Sequence, residues 1–374
     1  MTSINTHVSA TAKDTSNANA NARANGARSA SPTSPTHTHV RSKSPPPLQS
    51  HIQLAHAFIQ RWLALPTTQS HIHIRNPADL AEKLARIFAD GPHHLHIVSD
   101  YDMTMTKYWI NGVRGPSSHA VLERASVVSP AFKDKCKQLY TTYYPQEIDP
   151  NIPRDVKYGI MEQWWREAHQ AIMDEGVMEH DLAKMVKETP MTWRDGMQDL
   201  IHLTAEMDVY FLVFSAGIKN LIKSILESSN LLLPHVHVES NEMYFDPTTG
   251  RVSHFSEPII HTLNKAEVVL ASPDLPPDSP QARHAAAIKD RNNVILMGDS
   301  LGDANMADGI THSSCVRVGF CNVNPDIWLD EFMDTFDVVV VDDVGFDWVL
   351  DLLKVLKMQA LDDNAKDGDK ADQH

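Results

Sequence analysis

Hydrophobic positions first recur at helical spacing near His51, where Ile52, Leu54, Ala55, Phe58, Trp62 and Leu63 fall on one side of HIQLAHAFIQRWLA. A second helix is predicted after Asn76-Pro77, an N-cap residue followed by a first-turn proline. Its stripe is Leu80, Leu84, Ile87 and Phe88, and it stops at Gly91. The pattern then changes to HLHIVSD (94 to 100), a short β-favouring run that reads as a buried strand delivering a carboxylate. The same succession of apolar run, polar end and helix returns at Val209–Phe214 and Val294–Met297. A weaker strand, Asp337–Val341, precedes a last helix around Asp347–Met358. Strands alternating with helices predict the α/β class, a Rossmann-like, doubly wound parallel sheet that binds ligands at the carboxyl ends of its strands.

Between the first strand and Val209 lie roughly a hundred residues, where a parallel crossover needs only about a dozen. Helical patterns at Ala120–Ala125, Phe132–Tyr140, Val156–Asp174 and Leu182–Lys187 occupy that interval. We therefore read 112–191 as an inserted, mainly helical cap domain, with the core in two parts, 51–111 and 192–360. Ser272–Gln281 reads as a proline-rich surface loop. Residues 1–50, which include NANANARANGARSASPTSPT, hold too few large apolar residues to offset their ordering entropy, and 361–374 is a charged tail. Both are expected to be disordered.

Composition narrows the classes of function. Hydrophobic residues at 42% and charged residues at 22% fit a folded, enzyme-sized body rather than a fibrous or wholly disordered chain. Against 33 Lys and Arg stand 48 Asp and Glu, a net charge of −15, which disfavours nucleic-acid polymers and anionic membranes as partners. A small nucleotide stays compatible, because a metal in a local pocket overrides the global sign. Cys136, Cys315 and Cys321 form no C-x-x-C pair, which argues against a disulfide framework or zinc ribbon. With no apolar run near the roughly 18 residues of a membrane span and no secretory signal core, a cytoplasmic protein is expected. The five basic residues among the first 50 leave a mitochondrial transit peptide as the lesser alternative. Nothing in the pattern demands more than a monomer.

Candidate chemistry starts at Asp100-Tyr101-Asp102-Met103-Thr104. Acids two apart on an extended chain project to one side, so one carboxylate can attack phosphorus while the other protonates the leaving oxygen. Alone, the pair is better explained by turn-capping. A second acid pair, Asp299 and Asp303 in GDSLGDANMA, follows the strand at Val294 and opens a helix. Four carboxylates at neighbouring strand ends repel unless a cation sits among them, and hard oxygen ligands suit Mg²⁺. Ser215-Ala216-Gly217 offers small residues that let backbone approach a phosphate. The histidines around His93, His94 and His96 are not read as a zinc site, because neighbours in a strand face opposite ways.

Taken together and in this order, D-x-D-M-T, F-S-A-G, N-K and G-D-S-x-G-D-x-x-M-A-D-G resemble the haloacid-dehalogenase-like phosphatases. Within them the chain resembles the cytosolic 5′-nucleotidase type III group, the pyrimidine and 7-methylguanosine-phosphate 5′-nucleotidases. The resemblance runs from about His73 to Leu356 and includes IRNP, YYPQEIDP, YFDPTTG and FDVVVVDD. It implies Asp100 as nucleophile, Asp102 as general acid and base, and Thr104 supporting the nucleophile by a hydrogen bond. Mg²⁺ would be held by Asp100, the Asp102 carbonyl and Asp299, with Asp303 ordering the shell. Ser215, the Ala216 amide and Lys265 would hold the phosphoryl group. Glu147 matches the cap glutamate that contacts the base. Trp164-Trp165-Arg166-Glu167-Ala168-His169 is similar to the W-W-x-x-A-H of the 7-methylguanosine branch, whereas the pyrimidine branch tends to W-Y-x-x-S-H. On that likeness Trp165 stacks on the base and Trp164 belongs to the cap core. The expected function is a Mg²⁺-dependent 5′-nucleotidase acting on nucleoside 5′-monophosphates (7-methyl-GMP, CMP, UMP) through an aspartyl phosphate. The alternatives are a same-fold phosphatase or nucleoside phosphotransferase on another small phosphoester, and, in a different class, a non-catalytic nucleotide-binding or interaction protein.

Overall fold

The computed structural model describes residues 49–66, 71–149, 151–266 and 279–371, so the expectations for residues 1–48 and for most of the proline-rich loop lie outside the described residues. It opens with α1 (Gln49–Leu63), a two-residue strand β1 (Ile72–His73) and α2 (Pro77–Asp90). The Asn76 side chain accepts the Asp79 amide, and the Gly91 amide closes the helix on Ile87, as the N-cap, proline and glycine signals predict. The nucleophile-bearing strand β2 (Leu95–Ser99) follows. A small hairpin, β3 (Trp109–Ile110) and β4 (Val113–Arg114), leads into four helices: α3 (Ser118–Arg124), α4 (Pro130–Ile148), α5 (Arg154–Glu175) and α6 (Leu182–Glu188). These occupy the interval that the sequence set apart as an insertion. Val121, Leu122, Phe132 and Ile172 from these helices belong to the same cluster of buried side chains as Leu95 and Ile97, so the helices are packed onto the core rather than around a separate one.

The chain then runs through α7 (Met197–Glu206), β5 (Tyr210–Ile218), α8 (Lys219–Ser228), β6 (Val236–Asn241) and a hairpin of β7 (Met243–Phe245) and β8 (Val252–Phe255). It closes with α9 (Pro280–Ile288), β9 (Asn293–Gly298), β10 (Ser314–Cys321), α10 (Pro325–Thr335), β11 (Val338–Val341) and α11 (Asp347–Ala371). Seven strands form one sheet in the order β1-β11-β10-β9-β2-β5-β6, parallel throughout except for the antiparallel edge strand β1. Alternate residues serve opposite faces: Leu95, Ile97, Phe211, Val213, Ile295 and Met297 join one buried cluster, and Val98, Leu212, Phe214, Val294 and Leu296 join the other. Burial on both faces is what an all-parallel sheet requires, and it explains why these strands read as nearly continuous apolar runs. Because β2 lies between β9 and β5, its carboxyl end opens into a crevice flanked by the ends of both neighbours.

Three expectations need correction. The last helix does not stop near Met358: it continues to Ala371, where disorder was expected of 361–374; Gln359, Ala360 and Leu361 are good helix formers that carry it past its anchored apolar start, whereas the Asp- and Gly-containing stretch beyond gives no local signal for it. The segment after Gly298 is a short 3₁₀ helix, Leu301–Asn305, rather than an α-helix, because Asp303 folds back to accept the Ser300 amide and hydroxyl. The strand expected to end at Phe214 reaches Ile218, with its pairing to β6 interrupted between those two residues. Among the described residues no helix is long and apolar enough to cross a membrane.

Candidate active site

Asp100 stands one residue beyond β2, its amide donating to the Met297 carbonyl of β9 at 2.9 Å. Its carboxylate is buried, and the ammonium of Lys265 donates to it at 2.5 Å. The same ammonium lies 2.6 Å from Asp303. Asp299 completes a group with Asp100 and Asp303 in which each carboxylate offers an oxygen within 4.8 Å of the others. Gly298 permits this approach: a Cβ there would meet the Asp303 Cβ at 2.2 Å.

Burial sets the electrostatics. It pushes the Asp100 carboxyl up to about 7, Lys265 opposing the rise and Asp303 adding to it. Asp299 is driven well above the usual carboxylate range by burial and then by Asp100 and Asp303. Burial alone would lower the Lys265 ammonium, but Asp100 and Asp303 together outweigh it and hold it above its ordinary value. Three crowded carboxylates beside a single ammonium are short of positive charge, and an all-oxygen donor set of this kind fits a hard divalent cation such as Mg²⁺.

Asp102 is turned differently. Its two carboxylate oxygens accept the Ser118 amide at 2.7 Å and the Ser118 hydroxyl at 2.8 Å, so the first turn of α3 holds it. Burial raises its pKa while those hydrogen bonds pull it down. Across the crevice, Ser215 and Ala216 occupy the interruption in β5. The Ser215 hydroxyl accepts the Gly217 amide at 3.0 Å, and a Cβ at Gly217 would meet the Ser118 hydroxyl at 2.2 Å, so only glycine lets these two loops close on one another. The support expected from Thr104 is absent: its buried hydroxyl has no partner, and the Met103 amide donates instead to Thr106 at 3.0 Å.

Asp100, Asp102, Asp299, Asp303, Lys265, Ser215 and Ala216, with Glu147 and Trp165, border one cavity of about 550 Å³. The Trp165 indole N–H donates to the Ala216 carbonyl at 2.8 Å, which fixes the ring against the loop that also carries Ser215. Trp164 stacks on Tyr143 at 5.8 Å and meets Tyr140 edge-on, consistent with a cap-core role, although it too borders the cavity. Glu147, at the end of α4, has its carboxyl raised by burial. Sequence reasoning missed Arg114, His119, Tyr140 and Tyr144, which border the same space, and Ser118, which holds Asp102 from the first turn of α3. Only Ser118 had a visible signal, the serine pair that caps α3, and that signal gave no sign of the reach to Asp102.

The three histidines around the start of β2 go to separate partners, His93 and His94 from a 3₁₀ turn before it and His96 from the strand itself. His94 and His96 bond the carbonyls of Asp290 and Arg291, and His93 faces Asp208. They form no common metal site.

A doubly wound sheet with an Asp-x-Asp turn on its central strand, a buried lysine, an acid pair on the neighbouring strand and helices over the crevice defines a haloacid-dehalogenase-like hydrolase. The pyrimidine 5′-nucleotidase (UMPH-1) family model matches residues 103–357, and the chain belongs to that family. It is accordingly a phosphoric monoester hydrolase. Among its relatives, a 7-methylguanosine phosphate-specific 5′-nucleotidase of Gallus gallus is 32% identical over 78% of this chain and 98% of its own length. The protein of that name from Drosophila melanogaster is 32% identical over 78% of this chain and 89% of its own. The crystal structure of cytosolic 5′-nucleotidase IIIB bound to cytidine superposes with a TM-score of 0.72 at 31% identity, covering 81% of this chain and 97% of that one.

Proposed function

We propose that the protein is a Mg²⁺-dependent 5′-nucleotidase that hydrolyses 7-methylguanosine monophosphate and the pyrimidine monophosphates CMP and UMP. The observation that carries this reading is one cavity whose lining combines two chemically different sets. The buried Asp100–Lys265–Asp303 set is one, and the Glu147 carboxylate with the anchored Trp165 indole is the other. Its volume falls within the range of small-molecule sites. The relatives' names for 7-methylguanosine phosphate, and the cytidine in the related crystal structure, support the substrate class.

In this reading Asp100 attacks the phosphorus and becomes an aspartyl phosphate. Asp102 donates a proton to the leaving ribose oxygen and afterwards takes one from the attacking water. Its raised pKa suits both tasks. Lys265, the Ser215 hydroxyl and the Ala216 amide hold the phosphoryl oxygens. Asp100, the Asp102 carbonyl and Asp299 would bind Mg²⁺, with Asp303 fixing Lys265 beside them. When bound, the cation neutralises charge on the phosphoryl group, the main demand of a loose phosphoryl-transfer transition state. Glu147 accepts the exocyclic amine of the base, and the Trp165 face meets its ring. For cationic 7-methylguanine the indole adds about 0.5–2 kcal/mol.

The test is phosphate release from a panel of nucleoside 5′-monophosphates with Mg²⁺ and with excess chelator. Release from 7-methyl-GMP, CMP and UMP that stops on chelation is expected. Full activity in chelator, or phosphate from unrelated phosphoesters alone, would contradict the reading.

A further inference from the structure

Behind the Asp100–Thr104 turn lies Arg194, the residue that begins the return of the chain from the cap helices to α7, with 1% of its surface exposed. Each of its five N–H donors has an acceptor nearby. Nε donates to the Thr104 carbonyl at 2.7 Å, and one terminal nitrogen donates to the Met103 carbonyl at 2.5 Å and to the Asn322 side chain at 3.0 Å. The other donates to the Val344 carbonyl at 2.8 Å and lies 3.1 Å from Asp343. The Phe320 ring stacks under the guanidinium, 4.3 Å from its carbon. Asn322 donates to the same Met103 carbonyl at 3.0 Å, and Asp343 also accepts the amides of Tyr108 and Trp109.

What this network holds is an unusual piece of backbone. Met103, directly after the Asp-x-Asp pair, has φ of 63°, a left-handed conformation that a long side chain rarely adopts and that persists only where its surroundings enforce it. Arg194 and Asn322 supply that enforcement through the Met103 carbonyl. Burial lowers the guanidinium to about 10, which still leaves it charged at neutral pH, and it is among the cations that face Asp299. A planar fork meeting carbonyls from three separate segments is work to which an aliphatic side chain cannot contribute.

We propose that Arg194 is a positioning residue for phosphoryl transfer, locking the kinked turn after Asp102 so that the nucleophile, the general acid and the metal-binding oxygens keep their relative places. This rests on the reading of Asp100 as phosphate acceptor. Misplacing reacting groups by about an ångström costs on the order of 10²-fold in rate, and lost support behind metal ligands costs about 10- to 100-fold in metal affinity.

The experiment compares the full chain with Arg194→Met, Arg194→Lys and Asn322→Ala. It records circular dichroism and melting temperature, Mg²⁺ affinity by calorimetry, and kcat and KM for 7-methyl-GMP. Folded Arg194→Met is expected to lose kcat by about 100-fold with KM within about threefold, and to bind Mg²⁺ about tenfold more weakly. Arg194→Lys, which keeps the cation but loses the planar fork and its stacking on Phe320, recovers only a small part of either. Folded Arg194→Met with wild-type Mg²⁺ affinity and nearly wild-type kcat overturns the proposal, as does a loss that only tracks the unfolded fraction. Should Arg194→Met fail to fold, Asn322→Ala decides: about tenfold lower kcat at unchanged KM supports it, and unchanged kcat overturns it. If wild type releases no phosphate from any nucleotide, the reaction assigned above fails, while the Mg²⁺ affinities still decide the role of Arg194.

Discussion

Asp100 combines burial, a neighbouring ammonium and two neighbouring carboxylates, and its behaviour follows from that balance. Asp100→Asn keeps the size and removes the nucleophile, so kcat should fall on the order of 10⁴-fold or more while circular dichroism stays unchanged. Trp165→Ala should harm 7-methyl-GMP more than CMP, because only the former base is a cation for the indole face. Glu147→Ala should harm both, and should raise KM more than it lowers kcat, since the base is remote from phosphorus. Steady-state kinetics on both nucleotides check the pair; equal losses for Trp165→Ala would assign that ring to cap packing. Most of this site was legible in the sequence because each acid stands at the end of an apolar strand, where the sheet brings ends together. Ser118 and Arg194 were not legible. Their partners lie 16 and about 90 residues away, and no local pattern encodes which carboxylate or carbonyl a serine or arginine will meet.

Among the elements, those with a punctuated start and stop were the easiest to read. Asn76 with Pro77 and Gly91 bracketed α2 correctly, and Asn76→Ala should cost about 1 kcal/mol in denaturant unfolding without changing kcat. β10 was missed although it lies inside the sheet. Its run SCVRVGFC carries Arg317 and Gly319, residues that usually mark a surface or a turn. The fold accommodates both: Arg317 donates to the Ala304 carbonyl, and Gly319 leaves room for the Phe336 ring, which a Cβ would approach to 2.5 Å. β6 was missed as an edge strand whose alternation of Val236, His237, Val238 and Glu239 lacks the continuous apolar run of its neighbours. At the end of β9, Gly298→Ala should force Asp303 away from Lys265 and lower kcat by at least about tenfold, because the added Cβ lands on the Asp303 side chain. Unchanged kcat would mean that the 3₁₀ turn shifts freely.

For the whole molecule, the acid cluster ties stability to both pH and cation. Asp100, held at about 7 against an ordinary 3.8, favours the folded state at acid pH, and that contribution is lost as pH rises through about 7; Asp299 is shifted in the same direction. His119, His169 and His261, lowered by burial to about 4, 3 and 4, act oppositely and withdraw stability as pH falls. The difference in melting temperature with and without Mg²⁺ cancels the histidine contribution and should grow from about pH 5 to about pH 8, as the carboxylates become available to the cation. A flat difference would place Mg²⁺ elsewhere. The reaction itself is tested by mixing the protein and Mg²⁺ with 5′-³²P-labelled 7-methyl-GMP, quenching in acid during turnover and mapping the labelled peptide. Label that survives acid, is released by hydroxylamine and resides on Asp100 is the predicted result. Turnover that continues with no label on the chain, or with label on another residue, would contradict the aspartyl-phosphate mechanism.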